Sequence, residues 1–204
     1  FSGAYFIVVD EGPGLSGSSI GGTVQKLKEL EIDAKKIVIF SSWNPDGSQL
    51  NSKAAAEVWR IHSKFIGDFD RIWVDSGRLE KKFGKRIIRN LYAGLWRSML
   101  YQNEADFPCV HPHHERRKFL LESDTNKKSI IKFIGLGKYG YQHLQRAQAL
   151  AEAKFSPEVE SLHEGFIELA FCKGTPLSYS DINENFINFV CKYLEFVNYN
   201  FKAE

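Results

Sequence analysis

No long apolar run, no marked excess of charge and no cysteine framework can be found in these 204 residues. The apolar stretches fall far short of the ~20 residues that a membrane-crossing helix needs, so no membrane partner is expected. Lysine and arginine total 27 against 25 acidic residues, a net charge of +2. That balance makes no electrostatic case for nucleic acid or a membrane surface as the main partner. Cys109, Cys172 and Cys191 are odd in number and lack CxxC spacing. Neither a disulfide framework nor a zinc site is expected, and a reducing, cytoplasmic setting fits best. Repeats and low-complexity tracts are also missing. The chain does not open on Met, and "FSGAYFIVVD" enters a buried-type strand almost at once. A piece cut from a longer, bacterial-type protein is the expectation.

What is present suits one large or two small globular domains: 43% hydrophobic residues and 14% aromatics. "AYFIVV" (4–9) reads as a strand covered on both faces. Ile20, Val24, Leu27 and Leu30 then recur at helical spacing, and "KKIVIFSS" (35–42) is a second buried-type strand. Strand, short loop, helix and strand make a right-handed βαβ unit of a parallel sheet. "SSWNPDGSQ" is a loop, "SKAAAEVWRIHSKFI" a helix and "FDRIWVDS" a short strand. Residues 1–76 therefore read as part of a doubly wound α/β domain.

Residues 77–114 differ. "GRLEKKFGKRIIRNLYAGLWRSMLY" is basic with interleaved aromatics, and its apolar residues fall at helical spacing. An amphipathic connecting helix is preferred to an RNA-binding stretch. His111, His113 and His114 have a proline among them and no matched carboxylates, which favours a solvated loop over a metal site. Residues 115–204 read as a hairpin around "DTNKK", a helix with Leu144, Ala147, Leu150 and Ala151 on one face, two strands, and a last helix capped by Thr175 or Ser180.

Chemistry concentrates in "FIVVDEGPGLSGSS". A strand end, a loop of small residues and a helix start present several backbone N–H groups to an anion, and the helix dipole adds positive potential. Ser16, Ser18 and Ser19 add hydroxyl donors. Two acids directly before such a cradle repel a phosphate unless they face another part of the ligand, such as vicinal hydroxyls or hydrated Mg²⁺. A phosphorylated ribose combines those groups. There is no Gly-Lys-Ser/Thr, so a nucleoside-triphosphatase loop is not expected.

This stretch resembles the phosphoribosyl-diphosphate loop of type I phosphoribosyltransferases, in which apolar residues precede two acids and a small Thr/Ser-Gly turn. The resemblance implies that Asp10 and Glu11 hold the ribose hydroxyls, with Mg²⁺ arriving on the substrate. It also implies that Gly14, Leu15, Ser16, Gly17, Ser18 and Ser19 wrap the 5′-phosphate. Four residues, 12–15, separate acids from turn, where the pattern has three. That spacing favours the rival reading, a non-catalytic phosphosugar-binding or regulatory protein.

Gly135, Gly137 and Gly140 form a literal GxGxxG. The preceding hairpin is antiparallel and no acid ends the next strand, so a dinucleotide site is not expected. A strand with Lys132, a helix with Glu152, two strands and "CKGTPLS" are similar to the small lobe and hinge of kinase-like aminoglycoside or lipopolysaccharide phosphotransferases. That resemblance implies ATP as a ligand, with Lys132 on its phosphates and paired to Glu152. No His-x-Asp loop follows, so this segment alone is not expected to transfer a phosphoryl group. The fold class expected is α/β: a partial doubly wound parallel sheet, then an α+β kinase-like small lobe.

Overall fold

A computed structural model describes residues 3–10, 14, 16–45 and 48–201. The chain divides into two compact units between Leu79 and Glu80. Among the described residues no helix is long and apolar enough to cross a membrane.

The first unit is a three-stranded parallel sheet in the order β1-β2-β3, formed by β1 (Phe6–Val9), β2 (Ile37–Ser41) and β3 (Ser63–Ile66). Helix α1 (Ser18–Glu29) connects the first two strands and α2 (Lys53–Ile61) the next two. Ile20 and Val24 of α1 and Val58 and Trp59 of α2 bury one sheet face together with Val8 and Ile39. As expected from spacing, Ile20 and Val24 point inward, whereas Leu30 ends the helix exposed.

The opposite face overturns one expectation. Ile7 and Val9 are 60% and 75% exposed, and Phe65 is 60% exposed. Val9, Phe40 and Phe65 lie in register across the three strands, and the Phe40 and Phe65 rings stack at 5.0 Å. The continuous apolar run of β1 thus has one covered face rather than two, because α1 and α2 pack on the same side.

Two boundaries also differ from expectation. The helix read through residue 66 ends at Ile61, and β3 begins two residues later. Lys64 Nζ donates to the carbonyls of Trp59 and His62, closing the helix end and turning the chain into the strand. "FDRIWVDS" is no strand but a π-helical turn, Asp70–Asp75, started by Asp68, whose carboxylate accepts from the Arg71 N–H at 2.7 Å.

The second unit is a five-stranded antiparallel sheet in the order β4-β5-β6-β8-β7. Its strands are β4 (Arg86–Asn90), β5 (Lys118–Glu122), β6 (Lys128–Phe133), β7 (Val159–His163) and β8 (Phe166–Ala170). Helix α4 (Gly137–Glu152) joins β6 to β7, and α5 (Glu184–Asn200) follows β8. The hairpin, helix, two strands and last helix match the expected order. The amphipathic connector does not form. Its residues become α3 (Arg78–Phe83), β4 and a 3-10 turn at Leu95–Met99. Pairing with β5 decides the outcome for β4: Ile87 faces Leu121 and Asn90 faces Phe119, both buried partners. Helix α5 is capped by Asn183, whose Oδ1 accepts from the Phe186 N–H at 3.1 Å, not by Thr175 or Ser180.

Candidate functional site

The small-residue loop is organised around Gly17. Its φ of 61° is left-handed, and it precedes the first residue of α1. A Cβ at this position would stand 2.5 Å from the Ala55 Cβ, so only glycine lets the start of α1 lie against α2. The Gly17 N–H donates to the Gly14 carbonyl at 2.7 Å, closing the turn. Among the described residues, the Ser16 hydroxyl accepts from the Ser18 N–H at 3.4 Å, Gly17 at the N-cap supplies no side chain, and the first turn holds no acid, so the rest of the positive helix end is offered to an anion.

Three serines surround that helix end, all exposed. The Ser16 and Ser18 hydroxyls are 3.0 Å apart. The Ser19 hydroxyl donates to Asp10 Oδ2 at 2.9 Å, tying the strand end to the helix start. The Asp10 N–H donates to the Phe40 carbonyl, which fixes its backbone to the neighbouring strand. Asp10, Gly14, Ser16, Gly17, Ser18 and Ser19 are therefore brought together. Glu11 and Leu15 lie outside the described residues. An open groove of about 560 Å³ continues from Ser16, Gly17 and Ser18 to Ser52, Ala54 and Ala55 at the start of α2.

Lys132 and Glu152 are not joined by any ion pair among the described residues. Glu152 is the exposed last residue of α4. Lys132 is exposed on β6, directly opposite Lys118 of β5. Of the GxGxxG glycines, Gly140 serves packing. A Cβ on Gly140 would stand within 3 Å of the Gly135 carbonyl, and one on Gly165 would stand 2.7 Å from the same oxygen. They let the start of α4 approach the β7–β8 turn. The rings of His111 and His114 stack at 4.3 Å in a 3-10 turn. No cluster of three or more His, Cys, Asp or Glu side chains suited to a metal occurs among the described residues.

One polar cluster escaped the sequence reading. Glu168 of β8 is buried and accepts from Lys85 Nζ at 2.6 Å, Ser129 Oγ at 2.6 Å and Ser161 Oγ at 2.7 Å. Lys85 also reaches Glu160 Oε2 at 2.9 Å, and Lys127 meets Glu160 Oε1 at 2.7 Å. Burial pushes the Glu168 carboxyl up, but the hydrogen bonds from Lys85, Ser129 and Ser161 outweigh it and hold the group below its ordinary value. Glu160 is likewise held low, its desolvation outweighed by Lys127 and Lys85. Lys85 loses water to burial, yet its bonds to Glu168 and Glu160 raise it above the ordinary lysine value. The signal in the sequence was a lone acid in the apolar strand "FIELA".

Comparison with known protein families, with curated proteins and with solved structures finds no match. Fold and site define a class only coarsely: a parallel α/β unit with a small-residue loop at a helix start, followed by an antiparallel unit with one connecting and one terminal helix.

Proposed function

We propose that the first unit binds a phosphorylated ribose, phosphoribosyl diphosphate or a close relative, as part of a phosphoribosyltransferase. The observation that carries this reading is the glycine-led start of α1, ringed by the Ser16, Ser18 and Ser19 hydroxyls and held beside Asp10. Backbone N–H groups of the first helical turn suit the 5′-phosphate. The acid pair suits the vicinal hydroxyls, which donate to carboxylates where a phosphate would be repelled. Asp10 stands within reach of the same helix end, since Ser19 hydrogen-bonds to it.

Mg²⁺ would come with the diphosphate of the ligand, where it neutralises charge on the leaving group. The chain's own part is to hold the phosphate by N–H groups, orient the ribose through its hydroxyls and favour positive charge developing on the sugar through Asp10 and Glu11.

The test is calorimetric titration with phosphoribosyl diphosphate and Mg²⁺, with pyrophosphate release followed in parallel. Binding weakened at least tenfold in Asp10→Asn with Ser19→Ala is the expected result. Unchanged binding in that variant would sink the assignment. Binding without pyrophosphate release, over a panel of acceptor bases, would favour the non-catalytic rival that the four-residue spacing suggests.

A further inference from the structure

A parallel sheet occurs almost only with both of its faces covered, because crossover helices pack on it from either side. In the first unit α1 and α2 cover one face, through Ile20, Val24, Val58 and Trp59. Alternation builds the other face from Ile7 and Val9 of β1, Val38 and Phe40 of β2, and Ser63 and Phe65 of β3. Register sets them in two rows, Ile7–Val38–Ser63 and Val9–Phe40–Phe65. Tyr5, one residue before β1, continues the alternation and is 72% exposed.

No member of those rows carries a charge. From the exposures of Tyr5, Ile7, Val9, Phe40 and Phe65, the face offers about 500 Å² of apolar surface per copy. A contiguous apolar patch on a monomer rarely exceeds a few hundred Å², and larger ones mark contacts with another molecule. Apolar side chains scattered singly over a surface are ordinary. These are aligned by strand register, and the Phe40 and Phe65 rings, stacked at 5.0 Å, hold each other in place.

We propose that this face is the contact between two copies of the chain, sheet against sheet about a two-fold axis. Its chemistry and size select a second copy as the occupant. A two-fold contact sets one surface against itself, which like charges would oppose and a charge-free face allows. Two sheets stack at about 10 Å with side chains from both inner faces filling the space, and aromatic and β-branched residues are present here to fill it. A pair of these faces buries about 1,000 Å² in total, where specific interfaces begin. The dimer is therefore reversible, with a dissociation constant of roughly 1–100 μM. Each sheet supplies the cover that the other lacks. The contact is independent of the phosphoribose reading, which uses the loop and the start of α1 rather than the outer sheet face.

Sedimentation velocity of the full chain from about 1 to 300 μM, the range set by the expected affinity, tests the proposal. The wild type is expected to pass from monomer to dimer across that range. Added sodium sulfate is expected to tighten the dimer, because such salts strengthen apolar burial. Phe65→Thr keeps a strand-forming residue at an exposed position but removes the ring, and is expected to weaken the dimer at least tenfold. Ile7→Lys with Phe65→Lys is expected to stay monomeric throughout, with the circular dichroism spectrum of the wild type. Leu194→Lys, at an exposed apolar position of α5, is expected to leave dimerisation unchanged. The dimer is also expected to survive Asp10→Asn with Ser19→Ala, which separates this contact from ligand binding at the serine loop. A wild type that stays monomeric, a dimer undiminished in Phe65→Thr, or one lost in Leu194→Lys or in sodium sulfate overturns the proposal.

Discussion

Gly17 and Gly22 lie five residues apart in the first unit, and their physical circumstances are opposite. Gly17 has a left-handed φ and no room for a Cβ beside Ala55, whereas Gly22 sits within α1 with nothing within 4 Å of where a Cβ would be. Alanine at Gly17 is therefore expected to cost about 1–2 kcal/mol from backbone strain alone, with more from the contact. Alanine at Gly22 is expected to stabilise by about 0.5–1 kcal/mol, because glycine is a poor helix former. Urea unfolding of the two variants checks both signs. A stable Gly17→Ala protein would mean that the start of α1 does not lie against α2 as described. Ligand binding adds a second readout, since displacing Gly17 moves the N–H groups offered to a phosphate.

At the scale of elements, the Lys85–Glu168–Glu160 cluster ties the start of β4 to β7 and β8. Glu168→Ala leaves Lys85 with Glu160 alone and takes the acceptor from the Ser129 and Ser161 hydroxyls, so it is expected to destabilise the second unit by about 1–3 kcal/mol. The pH dependence has a definite sign. Glu168 and Glu160 are held low, so their contribution is full above the ordinary glutamate value of about 4.3 and fades as pH falls through their lower folded values. Lys85 is held high, so its contribution is full below about 10.4 and fades as pH rises through its folded value. Melting temperatures of the wild type are expected to fall at both extremes. Lys85→Met is expected to flatten the alkaline limb.

Elements whose identity depends on local pattern were legible from sequence, and those decided by pairing were not. The β5–β6 hairpin, α4 and the β7–β8 pair have turn residues and periodicity that agree with their tertiary roles. "RIIRN" carries a helix-compatible pattern and becomes β4 only because β5 supplies buried partners. "SKFI" looks like the end of α2 until Phe65 finds Phe40 across the sheet. In the candidate site, the grouping of Asp10 with the serines was legible because a strand–loop–helix connection is local. The facing of Lys118 and Lys132 was not, because it is a fact of register between strands.

For the whole molecule, the division between Leu79 and Glu80 separates two cores. One is centred on Val24, Ile37 and Ile39, and the other includes Phe119, Ile131 and Phe166. Calorimetry of the intact chain is expected to resolve two transitions, one lowered by Gly17→Ala and the other by Glu168→Ala. A single transition moved by both substitutions would show that the cores melt as one.

The segment 91–117 between β4 and β5 has a consequence for how the second unit is assembled. The β5–β6 turn spans only residues 123–127, with the Ser123 N–H bonded to the Lys127 carbonyl. Closing the longer segment costs about 1.5 kcal/mol more in chain entropy. The hairpin can therefore form early, while β4 must wait for the long closure. Lys85 immediately precedes β4 and would arrive with it. Until then Glu168 is without its lysine, and the transition state for folding is expected to contain the hairpin but not that ion pair. Loss of Lys85 should then speed unfolding and leave the folding rate almost unchanged.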